Sequence, residues 1–217
     1  MPSNVRHGTP EEGRACILQA ARQRYRCGQR IELTQLAAEQ GIGRATAYRW
    51  FGDNDRLLAE ILAERIRENF AVLLRENAGK VGRDKVLSVV EGFLRYAARS
   101  ERLESLLRSD QRRILKILAT SAHGVQQMVV ELFEDLLGDE QAAGHIFVGV
   151  PNHTLAYGIV RLIEAYLYTD GLTGETRDID TAVQLIGLLV PAESSGSHYV
   201  RRPLVAPRPR RALSGLG

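Results

Sequence analysis

An all-α fold is predicted by three features of the sequence. Apolar residues recur every three to four positions in almost every segment, helix start and stop signals bracket those segments, and no strand-like alternation persists. No internal repeat is visible. The chain of 217 residues is long enough to bury a core without disulfides. Its 44% apolar and 25% charged residues are ordinary for a soluble globular protein.

Each element has its own justification. Thr9-Pro10-Glu11-Glu12 opens the first helix: Thr9 caps, Pro10 suits the first position, and Glu12 completes a capping box. Leu18, Ala21 and Tyr25 share a face, and Gly28 ends the helix. A second start at Thr34 leads into "TQLAAEQ", which turns Leu36 and Ala37 inward and stops at Gly41. A short third helix runs from Arg44 to Phe51. A fourth runs from near Asp53 toward Asn77, with its stripe at Leu57, Ile61, Ile66, Phe70, Leu73 and Leu74.

After a glycine-containing break at 79–82, residues 83–99 form an amphipathic helix through Val86, Val89, Val90, Phe93, Leu94 and Ala97. A short helix over 101–108 precedes a long one over 110–137, through Ile114, Ile117, Leu118, Val125, Val129 and Leu132, with Gly138 as its stop. Residues 139–149 read as helical but glycine-rich. Pro151 starts a helix that reaches Tyr168, and "DGLTGETRD" connects it to a last helix over 179–190, through Ala182, Leu185, Ile186 and Leu189. Residues 191–217 are rich in Pro, Ser, Gly and Arg without periodicity, the pattern of a disordered basic tail. The expected domains are therefore 1–52, 53–190 and the 191–217 tail.

The net charge is +3. Residues 1–60 carry nine Arg against seven Asp and Glu, giving +2; residues 61–190 carry fifteen Lys and Arg against eighteen acids, giving −3; the tail carries five Arg and one Glu, giving +4. Bulk charge thus argues for no partner, and a nucleic-acid reading has to rest on local residues. Cys16 and Cys27, eleven residues apart on one helix, stand roughly 16 Å apart, too far for a disulfide, so free thiols in a reducing cytoplasm are expected. No metal-type Cys/His spacing, secretory signal or membrane-length apolar run is present, so no metal, no membrane and a cytoplasmic location are expected.

Residues 34–51 have the layout of a helix-turn-helix: a short helix, a tight turn at Gly41 and a second short helix. In that motif the second helix enters the major groove. Ala47 and Phe51, four apart, face inward together, and Ile42 plugs the turn into the core. Arg44, Ala45, Thr46, Tyr48, Arg49 and Trp50 remain outward, joined by Thr34 and Asn54 as candidate DNA contacts. Arginines read guanine edges or hold phosphates, Ala and Thr meet thymine methyls, and a Tyr hydroxyl donates to a phosphate oxygen. Trp50 is divided between packing and backbone contact.

The string "LTQLAAEQGIGRATAYRWFGDNDRLL", preceded by "ILQAARQRYRCG" with Tyr25 and Gly28, resembles the helix-turn-helix of the TetR (tetracycline repressor) family of bacterial transcriptional regulators. The resemblance covers about residues 14–62. It implies that the N-terminal helices bind double-stranded operator DNA and that the remaining helices bind an effector and form a homodimer. Two departures stand out. Gly43 occupies the position where the family usually has Ser or Thr, so the reading helix lacks a side-chain cap, and Asn54 stands where the family often has a phosphate-binding lysine. "GRATAYRWFGDNDRLL", with "HTLAYGIVRLIEAYLYTD" later, resembles regulators of the QsdR type, which implies a γ-lactone effector and the control of lactone degradation.

In the C-terminal part, Phe93, Tyr96, His123, Gln127, Asn152 and His153 are the candidate effector contacts, with His123 and Gln127 four apart on the long helix. Tyr157, Arg161, Glu164 and Tyr168 recur at helical spacing and are the candidate dimer face. No cofactor and no catalytic residue is expected: the chain has no GxSxG elbow, no HxH metal pattern and no phosphate loop in a strand context. A ligand-responsive repressor is the leading reading. A lactone hydrolase and a helical protein-interaction adaptor are the alternatives.

Overall fold

The computed structural model describes residues 9–168 and 178–190. Most of the connection before the last helix and the whole 191–217 tail lie outside the described residues. Among those described there are nine helices and no strand: α1 (Pro10–Arg26), α2 (Leu33–Glu39), α3 (Arg44–Phe51), α4 (Asn54–Glu76), α5 (Gly82–Ala98), α6 (Glu101–Leu118), α7 (Val125–Ala142), α8 (Asn152–Tyr168) and α9 (Ile179–Leu189).

Local signals explain the early boundaries. Thr9 Oγ1 accepts from the Glu12 N–H at 3.2 Å, and Glu12 Oε2 accepts from the Thr9 N–H at 2.9 Å, so the capping box forms as expected. Such a cap is worth about 1 kcal/mol. Asp53 caps α4 through the Arg56 N–H at 2.7 Å, and Asn77 ends it. Between α2 and α3, Gly41 adopts φ +67°, the left-handed conformation that the turn demands and a side chain resists.

Two apolar clusters organise the helices. Ile17, Leu18 and Ala21 of α1, Leu33, Leu36 and Ala37 of α2, Ala47 and Phe51 of α3, and Leu57 and Ile61 of α4 form the smaller one. The larger cluster is built from α4 to α9. At its centre Phe70, Phe93 and Phe133 meet edge to face, with centroids 5.1–6.4 Å apart, the geometry that aromatic quadrupoles favour. α4 serves both clusters, with Leu57 and Ile61 in one and Leu58, Leu62, Phe70 and Leu73 in the other. Two ion pairs also tie α1 to α4: Arg14 Nη2 donates to both Glu60 oxygens, and Arg22 Nε and Nη2 form a bidentate pair with Glu64. Both are about 40% exposed on the arginine side, so each adds at most about 1 kcal/mol.

The later helices depart from the sequence reading in three places. The helix expected over 110–137 is two helices, because the chain breaks at 119–124 and Gly124 takes φ +75° before α7. The apolar period continues across this break, so periodicity could not reveal it. Gly138 does not stop α7, which continues to Ala142. Residues 101–108 and 110–118 join as α6 across a non-helical Asp110 (φ −159°, ψ 79°), close to the expected boundary. In α9, Ala182 and Ile186 are buried as expected, whereas Leu185 and Leu189 are exposed. Both faces of that helix are apolar, and the described residues cover only one.

A buried carboxylate locks the α7 end to the start of α5. Glu140 accepts from the Gly82 N–H at 2.6 Å, Lys85 Nζ at 2.7 Å and His145 Nδ1 at 2.9 Å. Burial pushes its pKa up, but the Lys85 ammonium, the Gly82 amide and His145 outweigh it and hold the group below its ordinary value.

Candidate operator interface and effector site

The α2–turn–α3 unit is fixed from its inner side. Ala47 is fully buried and Phe51 is 4% exposed, which sets the rotation of α3. The turn closes through Ile42 N–H to Ala37 O at 2.8 Å and Gly41 N–H to Ala38 O at 3.1 Å. Gly43 precedes α3 without a side-chain cap, as the sequence implies.

That rotation places Arg44, Ala45 and Arg49 in solvent, with Thr46 and Tyr48 half-exposed beside them. Thr34, exposed on α2, lies with its Oγ1 3.3 Å from the Tyr48 hydroxyl. The Arg44 guanidinium sits 5.4 Å from the centroid of the Tyr48 ring. Thr34, Tyr48 and Arg44 therefore form one contiguous strip across α2 and α3. Among the described residues no carboxylate pairs with Arg44 or Arg49.

Two of the expected DNA contacts also have structural partners. Trp50 packs toward α1, where a Cβ on Gly13 would stand 2.9 Å from Trp50 Cη2. Asn54 Oδ1 accepts from the Leu33 N–H at 2.8 Å, supporting the first turn of α2. Its oxygen is engaged, and only the amide NH₂ is left as a donor toward a phosphate. Packing was one of the two readings the sequence left open for Trp50, but neither partner was legible, since each lies more than twenty positions away. A small residue early in α1, opposite an aromatic in α3, was the one available hint.

The six expected effector contacts do not converge. Phe93 is 7% exposed and belongs to the aromatic triad of the core. Tyr96 is 39% exposed and lies beside Tyr25 and Arg65. Gln127 is exposed, with its amide donating to Glu131 at 3.3 Å. His153 Nδ1 meets Glu134 at 2.8 Å on the surface, and Asn152, half-exposed, begins α8. His123 lies in the α6–α7 connection rather than on a helix, so its expected alignment with Gln127 does not hold. It borders a groove against α4 lined by Ala59, Ala63, Arg67 and Met128, and none of the other five contributes to that groove. Both His123 ring nitrogens are buried without a hydrogen-bond partner. An orphaned imidazole is costly, so this position has a polar requirement that the described residues leave unmet.

On α8, Tyr157 is 48% exposed and Arg161 is exposed. Glu164 turns back into its own chain, accepting from Gln126 Nε2 at 2.9 Å and Arg161 Nη1 at 2.7 Å. Burial raises its pKa, against the opposing effects of Gln126 and Arg161. Tyr168 is half-buried at the helix end. Leu185, Leu188 and Leu189 on α9, absent from the sequence reading of this face, are exposed, Leu188 by 81%.

A small three-helix reading head with an unpaired basic strip, joined by a shared helix to a larger all-helical body, defines a helix-turn-helix regulator. The profile of the tetracyclin repressor-like C-terminal domain matches residues 81–191, and the chain belongs to the TetR (tetracycline repressor) family. That match lies in the body, independent of the head residues that first suggested the family. Among solved structures, the transcriptional repressor QsdR of R. erythropolis, from the same family, is similar at TM-score 0.78 and 25% identity, over 87% of this chain and 99% of that one. The fatty acid degradation regulator FadR of Bacillus halodurans matches at TM-score 0.49 and 16% identity, over 82% and 94% of the two chains. NalD of Pseudomonas aeruginosa, the secondary repressor of the MexAB-OprM efflux pump, matches at 0.40 and 21%, over 82% and 94%. The comparison with curated proteins gives no match. Among the described residues no helix is long and apolar enough to cross a membrane.

Proposed function

We propose that this chain is a ligand-responsive transcriptional repressor that binds a palindromic double-stranded operator as a homodimer and leaves it when a small effector binds. The observation that carries the reading is the strip of Arg44, Tyr48 and Thr34, whose arginine pairs with no carboxylate among the described residues. Arg49 extends the basic surface. A major groove supplies what these groups lack, namely base-edge acceptors and phosphate oxygens. The uncapped N–H groups at the start of α3 add a place for a phosphate.

The division of labour follows the two apolar clusters: residues 1–52 read DNA and 53–190 bind the effector and dimerise, with α4 as the shared beam. The exposed apolar side chains of α9, with Tyr157 and Arg161 of α8, form the proposed dimer face. His123 is the proposed polar anchor of the effector. A neutral γ-lactone fits that role, because its carbonyl accepts from an imidazole N–H, and the sequence resemblance to regulators of the QsdR type implies such an effector. The work is placed in the cytoplasm, where the free thiols Cys16 and Cys27 stay reduced.

Fluorescence anisotropy with duplexes from the upstream region of its own gene tests the reading. Specific, salt-sensitive binding that is reversed by γ-decalactone is the expected result. Absence of specific binding by folded protein overturns the repressor assignment. Hydrolysis of the lactone by pure protein would replace it with an enzyme.

A further inference from the structure

A second cavity, of 420 Å³, lies at the joint between head and body, between the α1–α2 connection and α6. Its apolar floor is Tyr25, Ile31, Leu58 and Leu106. Its polar rim is Arg30, Arg102, Ser105 and Ser109, with Asp110 and Arg113 at one end. The size falls within the range of about 300–1,000 Å³ typical of small-molecule sites, and so does the mixture of an apolar bed with a few polar groups.

The charges of this rim are not balanced internally. Arg113 Nε is engaged by Asp55 at 2.5 Å, and Asp110 Oδ1 accepts from the Arg113 N–H at 3.1 Å, turning its carboxylate toward its own helix. Arg30 pairs with Glu32, but its side chain is 85% exposed. Arg102 is different. It is half-buried, and among the described residues no carboxylate pairs with it. Its guanidinium is seated over Gly28, so closely that a Cβ there would stand 1.9 Å from Arg102 Nη1. Gly28, at φ +68° and without a side chain, leaves the space that the guanidinium occupies.

We propose that this joint is a binding site for a small amphipathic carboxylate. The carboxylate lies on Arg102, with the Ser105 hydroxyl as a further donor, and the apolar chain lies on Tyr25, Ile31, Leu58 and Leu106; the Ser109 hydroxyl already donates to the Leu106 carbonyl at 2.8 Å. Arginine is suited to this because its planar fork meets a carboxylate through two parallel hydrogen bonds. The site is separate from the His123 groove, which shares no lining residue with it. The occupant touches Tyr25 and Ile31 on the head side and Leu106 and Arg102 on the body side. It therefore fixes one relative placement of the two and shifts operator affinity, a consequence that rests on the repressor reading, whereas the binding itself does not.

Calorimetric titration of the full-length protein with octanoate, octanol and γ-decalactone tests the site. Octanoate is expected to bind at least about tenfold more tightly than octanol, the size of one charge-assisted contact. Arg102→Gln is expected to remove that preference, and Ser105→Phe, at an exposed position of α6, to fill the cavity and abolish octanoate binding. γ-Decalactone binding is expected to survive both substitutions, which separates this site from the effector groove. Equal binding of octanol and octanoate, no octanoate binding at millimolar concentration, or unchanged octanoate binding in both folded variants overturns the proposal. An operator titration with and without octanoate then reads the consequence: a shift in wild type that Ser105→Phe lacks supports it. Octanoate binding without any operator shift overturns the coupling and leaves the site standing.

Discussion

At the scale of single residues, the reading head depends on one contact that its sequence conceals. Trp50 is the largest side chain of α3, and Gly13 is the reason it can lie against α1. A Cβ on Gly13 would stand 2.9 Å from Trp50 Cη2. Gly13→Ala is therefore expected to destabilise the protein by about 1–3 kcal/mol through overpacking, read as a lower urea midpoint. Arg44 stands in solvent, and Tyr48 packs partly against the head cluster while its hydroxyl lies 3.3 Å from Thr34 Oγ1. Arg44→Ala and Tyr48→Ala are each expected to weaken operator binding at least about tenfold while leaving the dimer mass unchanged in light scattering. Loss of the dimer in either variant would argue that α3 serves the body instead. The inward pair Ala47 and Phe51 was legible because an i, i+4 relation is local. The partners of Trp50 and Asn54 were not, since Gly13 and Leu33 reach them only through the tertiary fold.

At the scale of elements, the Glu140 knot fastens α7 to α5. Its pKa is depressed in the folded state, so its contribution is present above the ordinary carboxylate range and is lost as pH falls through the depressed value. Glu140→Gln leaves Lys85 without its partner. The expected cost is about 3 kcal/mol, at the low end for a broken buried pair because Lys85 reaches solvent. Thermal melts across the acid range are expected to show a shallower pH dependence in the variant. α9 presents the opposite situation, an apolar face with no cover among the described residues. Leu188, 81% exposed, is expected at a subunit interface. Leu188→Arg is expected to yield monomer in sedimentation velocity, while a wild-type-like dimer would move the interface elsewhere. Periodicity revealed that α9 is apolar but not which side faces inward, because helices with two apolar faces satisfy either orientation. The α6–α7 break escaped for a related reason: Leu118 and Val125 are both buried, and the period spans the gap between them.

At the scale of the whole molecule, α4 carries the argument. It shares Leu57 and Ile61 with the head and Leu58, Leu62 and Phe70 with the body, so a shift of the body against α4 moves the reading strip. The His123 groove borders the same helix through Ala59, Ala63 and Arg67. An effector that binds better to one placement of α4 changes operator affinity by that difference and no more. The head was largely readable from its sequence, because its boundaries are set by local caps and turns. The proposed effector groove was readable only in part: the sequence offered His123, but not the connection that holds it, which an unbroken apolar stripe disguised. A nuclease footprint of the region upstream of its own gene tests the central claim most directly. The account expects two protected half-sites about one helical turn apart, or a multiple of it, both lost with Arg44→Ala in a protein that remains folded and dimeric. Protection that survives Arg44→Ala and Tyr48→Ala unchanged, or no discrete protection by folded wild-type protein, would contradict it.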